Sequence, residues 1–595
     1  MSMRELLRRM ALIARMSIRT DPLRSLGALA EPLGGVFQML LGLWVKLLVD
    51  GVMRHDEARA VTGAVCIAAS MLLYFGTGLL GNLARVALAE RVGFAFDRQI
   101  AEMTARIPSL EPFERADYAD ELQILRQNRA LLGGSLNSLL YTFTTALRAL
   151  TAVVMLTAVD PRLLLLLAAA VPAVIGARLR YRWDKAAEDA SASHGRLARH
   201  LIGLATTVSG AAELRTYRLE SEVRARLRAA NTAWRRPVVA AERKKSVTTA
   251  LVNATFAAAL TGVIGWLLVG VAHHNGSPGT IAMAVVVAGD LQQVVVGTVN
   301  RMGDLANVLR SAGRFLWLRD RAAEIAADFT GTVPPPETLE HGITFENVTF
   351  RYPGASRDSL RNVSLHIPAG SILALVGENG AGKSTMVGLL AGLHRPTSGR
   401  ILIDGIDLRE LDILDWRAAM SAAFQDFAKL EFSAQHAVGV GHLPHVDTPG
   451  AVHTALLEAQ AADVETALPQ GLATQLGSTW EDGVDLSGGQ WQKLALGRAM
   501  MRRSPLLLVF DEPTASLDAP TEHALFSQYA ATARTAAAQG AITILVTHRF
   551  STVRAADHIA VLADGALTEY GSHEELIDAT GEYAQLYEMQ ARGYR

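Results

Sequence analysis

Long stretches without charged side chains are the feature that most restricts the fold of this chain. Residues 60–84 contain no Asp, Glu, Lys or Arg, and residues 246–289 also lack all four. A helix that crosses a bilayer needs roughly 20 largely apolar residues. Because the lipid interior offers no hydrogen bonds, the backbone polar groups of such a stretch must be paired inside a helix. Both stretches therefore predict membrane-spanning helices.

Six spans are predicted in the first half of the chain. The second stretch is interrupted by HHNGSPG at 273–279, which indicates a turn between two helices. Residues 138–178 form a similar hairpin around VDPR. With single helices at 33–49 and 60–84, these segments make an all-α membrane domain.

Positive charge predicts the orientation of the spans. The first 24 residues and the long segment 179–245 are rich in Arg and Lys. The connections near 53–59, 159–162 and 272–279 are short and carry few positive charges. Because loops rich in Arg and Lys remain in the cytoplasm, the short connections are predicted outside. The long segments, including 91–135, are predicted to be helices that extend into the cytoplasm.

The chain is too long for a single core, because one hydrophobic core rarely exceeds about 300 residues. Residues 1–26 are basic and amphipathic, which favours a retained elbow helix on the membrane surface. We expect a transmembrane domain at 27–325, a linker at 326–342 that contains three prolines, and a soluble domain at 343–595. The single cysteine excludes an intramolecular disulfide and a cysteine-rich metal site.

Polar side chains inside predicted spans are costly, and function is their default explanation. Arg148, Asn253 and Asp290 are such residues, and we predict that they line a substrate cavity. The alternative is that they make contacts between helices or lie beyond the hydrocarbon. A direct pair between Arg148 and Asp290 is the less favoured arrangement.

A phosphate-binding loop follows the apolar strand SILALV. The pattern G-x-x-x-x-G-K-[ST] lies between this strand and a helical segment, as its mechanism requires. Backbone N–H groups would cradle the phosphates of ATP, Lys383 would reach the β and γ phosphates, and the Ser384 hydroxyl would bind Mg²⁺. The predicted nucleotide residues are Gly377, Glu378, Asn379, Gly380, Ala381, Gly382, Lys383, Ser384 and Thr385.

Two further apolar strands end in chemically active residues. LLLVF is followed by Asp511 and Glu512, and ITILV by Thr547 and His548. Two adjacent carboxylates at the end of a buried strand are costly unless a metal and a reaction use them. We assign Asp511 to Mg²⁺ and Glu512 to polarising the attacking water.

A second anion-binding feature begins at Ser487. The residues SGGQ, which are Ser487, Gly488, Gly489 and Gln490, open a predicted amphipathic helix. The N-terminus of a helix attracts anions through its free N–H groups and its dipole.

The motifs GENGAGKST, AFQD, LSGGQ, LLLVFDEP, SLD and VTHR occur in the order found in ATP-binding cassette (ABC) transporters, which the chain resembles over its whole length. Six spans ahead of one cassette resemble the exporter half-transporters. The resemblance implies an all-α type IV exporter domain followed by an α/β P-loop NTPase cassette. It implies that Tyr352 stacks on adenine, that Gln425 senses Mg²⁺ and water, that Asp518 communicates across a cassette dimer, and that His548 is the switch histidine.

The resemblance also implies an assembly. In this family Ser487–Gln490 face ATP held by the partner's phosphate loop, so two cassettes form a split site. Short transverse helices of the inner loops dock on the cassettes, and 111–123 and 210–220 lie where these are expected, with Glu481 as a contact for one of them. A homodimer is expected, and a heterodimer is the alternative.

The expected function is ATP-driven export of an amphipathic small molecule, drug, peptide or natural product through a bacterial plasma (inner) membrane. We expect contact with membrane lipid and a cytoplasmic cassette. A flippase for lipids or lipid-linked molecules, an importer built on the exporter fold, or a regulated channel are the alternatives. A soluble ABC ATPase acting on nucleic acid is disfavoured by the apolar first half. The stretch QDFAKLEFSAQHAVGVG departs from many multidrug and lipid exporters, so the resemblance does not indicate the cargo.

Overall fold

The structure, a computed structural model, describes most of the chain. The described residues are 2–159, 171–272, 277–512, 534, 537–538, 540–547 and 553–593. The predicted nucleotide residues Asp518 and His548 lie outside them, as does part of the second predicted hairpin. Two compact units divide the chain, Met1–Glu102 with Gln123–Leu318, and Met103–Leu122 with Arg319–Arg595.

The first half is helical. Its helices are α1 (Met3–Thr20), α2 (Pro22–Gly27), α3 (Ala30–Met53), α4 (Glu57–Ala105), α5 (Glu111–Glu114), α6 (Ala116–Gln127), α7 (Arg129–Gly133), α8 (Ser135–Val159), α9 (Val171–Thr206), α10 (Val208–Thr216), α11 (Glu220–Ala272) and α12 (Pro278–Asp328). Helix α1 begins with a capping box between Ser2 and Glu5, and Asp21 caps α2. These caps bind N–H groups that a helix start leaves unpaired.

Among the described residues, four helical segments are long and apolar enough to cross a membrane. They are Pro22–Met53, Glu57–Ala105, Ser135–Met155 and Glu220–Val269. They contain the predicted first, second, third and fifth spans. The fourth predicted span overlaps residues 160–170, which lie outside the description. The sixth begins α12, whose apolar part, Pro278–Asp290, is shorter.

Arg148 and Asp290 form an ion pair. The sequence analysis gave this pairing less weight than a separate role for each residue in a cavity, and the structure corrects that preference. Arg148 Nη2 lies 3.4 Å from Asp290 Oδ1, and Gln38 Nε2 donates to the same oxygen at 3.0 Å. A β-carbon at Gly35 would lie 3.1 Å from the Arg148 side chain, so glycine permits this close approach between α3 and α8. In a low dielectric, each charge lowers the cost of burying the other.

We predict that breaking this pair destabilises the helices. Arg148→Leu or Asp290→Leu leaves one charge uncompensated, which costs about 2–4 kcal/mol, and the double substitution recovers part of that loss. The measurement is the thermal unfolding midpoint in nanodiscs. The exposed pair Arg226–Glu222, 2.7 Å apart, is the matched control, and its loss costs about 0.5 kcal/mol or less. A double variant less stable than both single variants would contradict the account.

The second half contains two β-sheets. Its strands are β1 (Gly342–Phe350), β2 (Leu360–Pro368), β3 (Ile372–Val376), β4 (Ser398–Ile403), β5 (Ile406–Asp407), β6 (Met420–Ala423), β7 (Leu507–Asp511), β8 (Ile542–Val546), β9 (His558–Ala563) and β10 (Ala566–Gly571). The smaller sheet has the order β2-β1-β4-β5 and is antiparallel. The larger has the order β10-β9-β3-β8-β7-β6.

Helices cover these sheets. They are α13 (Lys383–Leu390), α14 (Ile413–Ala418), α15 (Ala434–Gly439), α16 (Pro449–Glu458), α17 (Ala462–Ala467), α18 (Gly488–Met500), α19 (His573–Asp578) and α20 (Glu582–Gly593), with 3₁₀ turns at Leu443–His445 and Gly471–Ala473. All residues of β3, β7 and β8 are buried. Their continuous apolar runs are typical of parallel strands covered on both faces. The loops at their ends are thereby held on a rigid layer.

Candidate nucleotide site

The predicted catalytic residues follow neighbouring parallel strands. Strands β3, β8, β7 and β6 lie side by side and run in the same direction. The phosphate loop follows β3, Thr547 follows β8, Asp511 ends β7, and Gln425 follows β6. Ligands of α/β sheets bind at this carboxyl edge. The topology therefore brings together residues that are up to 170 positions apart in the chain.

The phosphate loop has a backbone that favours glycine. Gly377, Gly380 and Gly382 have φ angles of 149°, 84° and 106°. Lys383, only 6% exposed, begins α13, and its Nζ donates to the carbonyls of Gly377 at 2.8 Å and Glu378 at 3.0 Å. Burial lowers the pKa of Lys383, although Glu512 and Asp511 oppose that shift. Such a loop at a helix start can cradle phosphate.

Asp511 presents a buried oxygen that needs a partner. The residue is 5% exposed, and its Oδ1 has no hydrogen-bond partner among the described residues. Burial raises the pKa of Asp511, while a hydrogen bond from Ser384 opposes the shift. Buried polar atoms are normally paired, and Mg²⁺ prefers carboxylate and hydroxyl oxygens. The donor set of Asp511 and Ser384 therefore fits the predicted Mg²⁺.

Glu512 is held in a strained backbone conformation. Its φ is 46°, in the left-handed region that non-glycine residues adopt at a cost of about 1–3 kcal/mol. Its N–H donates to the Val546 carbonyl at 3.0 Å, and its carboxylate accepts from Gln425 Nε2 at 3.0 Å. A hydrogen bond therefore links Gln425 and Glu512, the two side chains predicted to contact the attacking water. Strain of this kind is often kept where function requires it.

Tyr352 lies beside the phosphate-loop helix. Its hydroxyl is 3.2 Å from Thr385 Oγ1, and its ring contacts those of Phe350 and His394 edge-on at 4.9 and 5.4 Å between centroids. Sequence reasoning missed His394, because an isolated histidine between a helix and a strand carries no motif. His394 is 6% exposed, and burial lowers its pKa.

The first inner loop docks on the cassette within the second compact unit. Leu110 N–H and Ser109 Oγ donate to the Leu393 carbonyl at 3.0 and 3.2 Å, and Arg417 Nη2 donates to the Pro108 carbonyl at 2.5 Å. The predicted docking segment was 111–123, so these contacts begin three residues earlier. They are made by backbone groups and a serine, for which the sequence has no distinctive pattern.

Helix α5 adds a side-chain contact. Glu114 Oε1 lies 3.4 Å from His394 Nε2, on the residue that also contacts Tyr352. Burial raises the pKa of Glu114 and lowers that of His394, so it disfavours charge on both side chains. A continuous series of contacts therefore leads from α5 to the predicted adenine-stacking residue. The other predicted docking segment, 210–220, contains the end of α10, and Glu481 is exposed.

The helix predicted to begin after Ser487 is present as α18, and a capping box forms its start. Ser487 Oγ accepts from the Gln490 N–H at 3.3 Å, and the Ser487 N–H donates to Gln490 Oε1 at 2.9 Å. Ser487 and Gly488 are exposed, and a β-carbon on Gly488 would meet nothing within 4 Å. Among the described residues, no hydrogen bond joins Ser487–Gln490 to the loop 377–385. The helix start is therefore open to solvent.

The three predicted cavity residues separate into two locations. Asn253 lines a cavity of about 1070 Å³ among α9, α11 and α12. Arg148 and Asp290, which bind each other, are not among the residues that line it. A role for all three residues in binding substrate stays a prediction.

Known proteins share both halves of this architecture. The ABC transporter family model matches residues 360–515. An "ATP-dependent lipid A-core flippase" of Alcanivorax borkumensis is 27% identical over 91% of this chain and 90% of its own length. A protein of the same name from Ralstonia nicotianae is 40% identical, but the match spans only 42% of this chain and 40% of that relative.

A solved structure shares the fold across both halves. "Structure of a bacterial Atm1-family ABC exporter with ATP bound" superposes with a TM-score of 0.75 and 25% identity, covering 96% of this chain and 99% of that one. The chain has the fold of an ABC exporter, and its cassette matches the ABC transporter family. The family match covers the phosphate loop, Gln425, Ser487–Gln490 and Glu512, and the long apolar helices lie ahead of it in the chain.

We predict that Asp511→Asn removes the dependence of ATP binding on Mg²⁺ in this transporter. The substitution keeps the shape and removes the charge, and one lost contact to a charged group weakens binding about tenfold. Calorimetric titration with ATP, with and without Mg²⁺, measures the effect. Asp415→Asn, at an exposed position of α14, is the control and should leave binding unchanged. Retained Mg²⁺ dependence in Asp511→Asn would contradict the assignment.

Proposed function

We propose that this transporter works as a homodimer that exports an amphipathic molecule through alternating access, with ATP between its two cassettes. The observation that carries the proposal is the exposed start of α18, which is built for an anion yet makes no hydrogen bond with its own phosphate loop. In a dimer, Ser487–Gln490 of one copy would face the γ-phosphate held by Lys383 of the other. A complete ATP site then exists only when two cassettes meet.

Within each composite site, the described side chains have separable roles. Tyr352 would stack on adenine, and the phosphate-loop N–H groups with Lys383 would hold the phosphates. Ser384, Gln425 and Asp511 would hold Mg²⁺, which when bound offsets the phosphate charge. Glu512, oriented by its hydrogen bond from Gln425, would polarise the attacking water. Asp518 and His548, outside the described residues, are proposed for communication across the dimer and for contact with the γ-phosphate.

The inner loops would transmit the cassette movement to the membrane helices. Closure of the cassettes around ATP changes the environment of Tyr352, which His394 and Glu114 connect to α5. The proposed role of these contacts is to couple ATP binding to helix movement. Segment 210–220 would contact the partner's cassette near Glu481.

The proposed location is a bacterial inner membrane, with the cassette in the cytoplasm and lipid around the helices. The cargo is proposed to be a drug, peptide or other natural product with apolar and polar parts. Flipping of a lipid or lipid-linked molecule is the second candidate, favoured by the names of the two flippase relatives. Import, or conduction without ATP, would require a different account of the helices.

The proposal predicts that Glu512→Gln binds ATP but hydrolyses it at least about 100-fold more slowly, because the water loses its base. Steady-state phosphate release and retention of radiolabelled ATP measure the two effects in lipid nanodiscs. Glu346→Gln, which alters an exposed pair with Arg400 on the cassette surface, is the control.

Brisk hydrolysis by Glu512→Gln would contradict the catalytic assignment. Direction is measured in inside-out vesicles, where ATP-dependent uptake of cargo supports export. Release of cargo, or conductance without ATP, would contradict export.

A further inference from the structure

A large cavity opens between three helices of the first compact unit. Its volume is about 1070 Å³, and all of its lining residues precede the nucleotide-binding half of the chain in the sequence. On α11 and α12 its lining residues recur every three or four positions, so each of these helices presents one face to it, and on α9 positions 180 and 182 lie beside such a face. Helix α9 contributes Val174, Arg178 and Tyr181, and α11 contributes Lys245, Thr249 and Asn253. A β-carbon at Gly176 would lie 3.1 Å from Thr248 Cγ2, so glycine allows α9 and α11 to approach closely beside the cavity.

Positive charge exceeds negative charge in the cavity lining. The charged lining residues are Arg178, Arg180, Arg182, Lys245, Asp184 and Glu242. Lys245 Nζ lies 2.8 Å from Asp184 Oδ1 and 2.5 Å from Glu242 Oε1. Both carboxylates are therefore directed at the lysine, and the three arginines give the cavity its net positive charge. A cavity of one sign concentrates ligands of the opposite sign.

Arg180 is fixed at the cavity by a short series of hydrogen bonds. Its Nη1 donates to Thr249 Oγ1 at 3.0 Å, and that hydroxyl donates to the Lys245 carbonyl at 2.9 Å. An ordered guanidinium of this kind is suited to two-point binding of a carboxylate or phosphate.

Asn253 adds a hydrogen-bond acceptor one turn beyond Thr249. Its Oδ1 is buried and has no hydrogen-bond partner among the described residues. Four residues along a helix correspond to about 6 Å, so this acceptor lies about 6 Å along α11 from the threonine that holds Arg180. A ligand with an N–H or O–H group near its anion would satisfy it.

The cavity changes from charged to apolar along α11. Along α11, Glu242 and Lys245 are the last charged residues that line the cavity, and residues 246–289 contain no charged side chain. Ala250, with Val174 of α9 and Ala306 of α12, lines the cavity beside the polar groups. Such a lining accommodates an apolar chain attached to a charged head.

We propose that this cavity binds the cargo, and that the cargo is an amphipathic anion whose phosphate or carboxylate contacts Arg180 and whose neighbouring donor contacts Asn253. The assignment rests on the proposed transport function and specifies its substrate class. Its apolar part lies against Val174, Ala250 and Ala306. The cavity thus discriminates against cationic amphipaths of equal length.

The test is calorimetric binding to the full-length protein in phosphatidylcholine nanodiscs without nucleotide, with empty nanodiscs as the partitioning background. The probes share one chain length and are dodecyl phosphate, dodecyltrimethylammonium and dodecyl maltoside. Dodecyl phosphate should bind at least about tenfold more tightly than the others, and Arg180→Gln should remove that preference while Arg180→Lys retains part of it. Arg199→Gln, at an exposed position of α9 outside the cavity, should have no effect.

Arg178→Gln is a second variant at an exposed lining position, which keeps the test valid if Arg180→Gln does not fold. Equal binding of the cationic probe, or an anion preference that survives both substitutions, would overturn the assignment. Inorganic phosphate that competes as well as dodecyl phosphate would contradict an amphipathic ligand. Because no ATP is present, these results are independent of the Glu512→Gln experiment on the proposed function.

Discussion

The carboxyl edge of the larger sheet is the constraint on which the rest of the nucleotide site depends. Hydrogen bonds between parallel strands hold β3, β8, β7 and β6 side by side. The last residues of these strands therefore lie along the same edge of the sheet. Asp511 ends there with a buried oxygen that has no hydrogen-bond partner among the described residues, and the Lys383 ammonium group donates to carbonyls of its own loop. Both arrangements are costly in isolation and become favourable when a cation and phosphates are bound. The cassette is therefore organised around ligands.

Local pattern was sufficient to predict this part of the molecule. The phosphate loop and Asp511 each follow an apolar strand, and apolar strands of a parallel sheet end at a shared edge, whereas Gln425 was predicted from the family resemblance alone. The helix start at Ser487 was equally predictable, because a serine before two glycines and a glutamine favours one. Strands and spans could be located for the same reason, since the length and spacing of apolar residues are properties of the sequence.

Contacts between distant segments were harder to predict. The ion pair of Arg148 and Asp290 depends on how α8 and α12 pack. The hydrogen bond from Gln38 to Asp290 depends on the position of a third helix, α3. The docking of the first inner loop depends on backbone carbonyls, which have no signature in the sequence. His394 contacts both Glu114 of the loop and Tyr352 of the cassette, which are far apart in the sequence. Such features become visible when three-dimensional packing is known.

Complementation between two inactive chains tests most directly whether each ATP site is split between two copies. One chain carries Lys383→Ala, the other Ser487→Arg, and both carry Glu512→Gln so that bound ATP is retained. If each site combines the phosphate loop of one copy with the α18 start of the other, the mixed dimer has one intact site and retains one ATP per two chains. Neither variant alone retains ATP. Failure of the mixed dimer to retain ATP, or retention by the Ser487→Arg chain alone, would contradict the account.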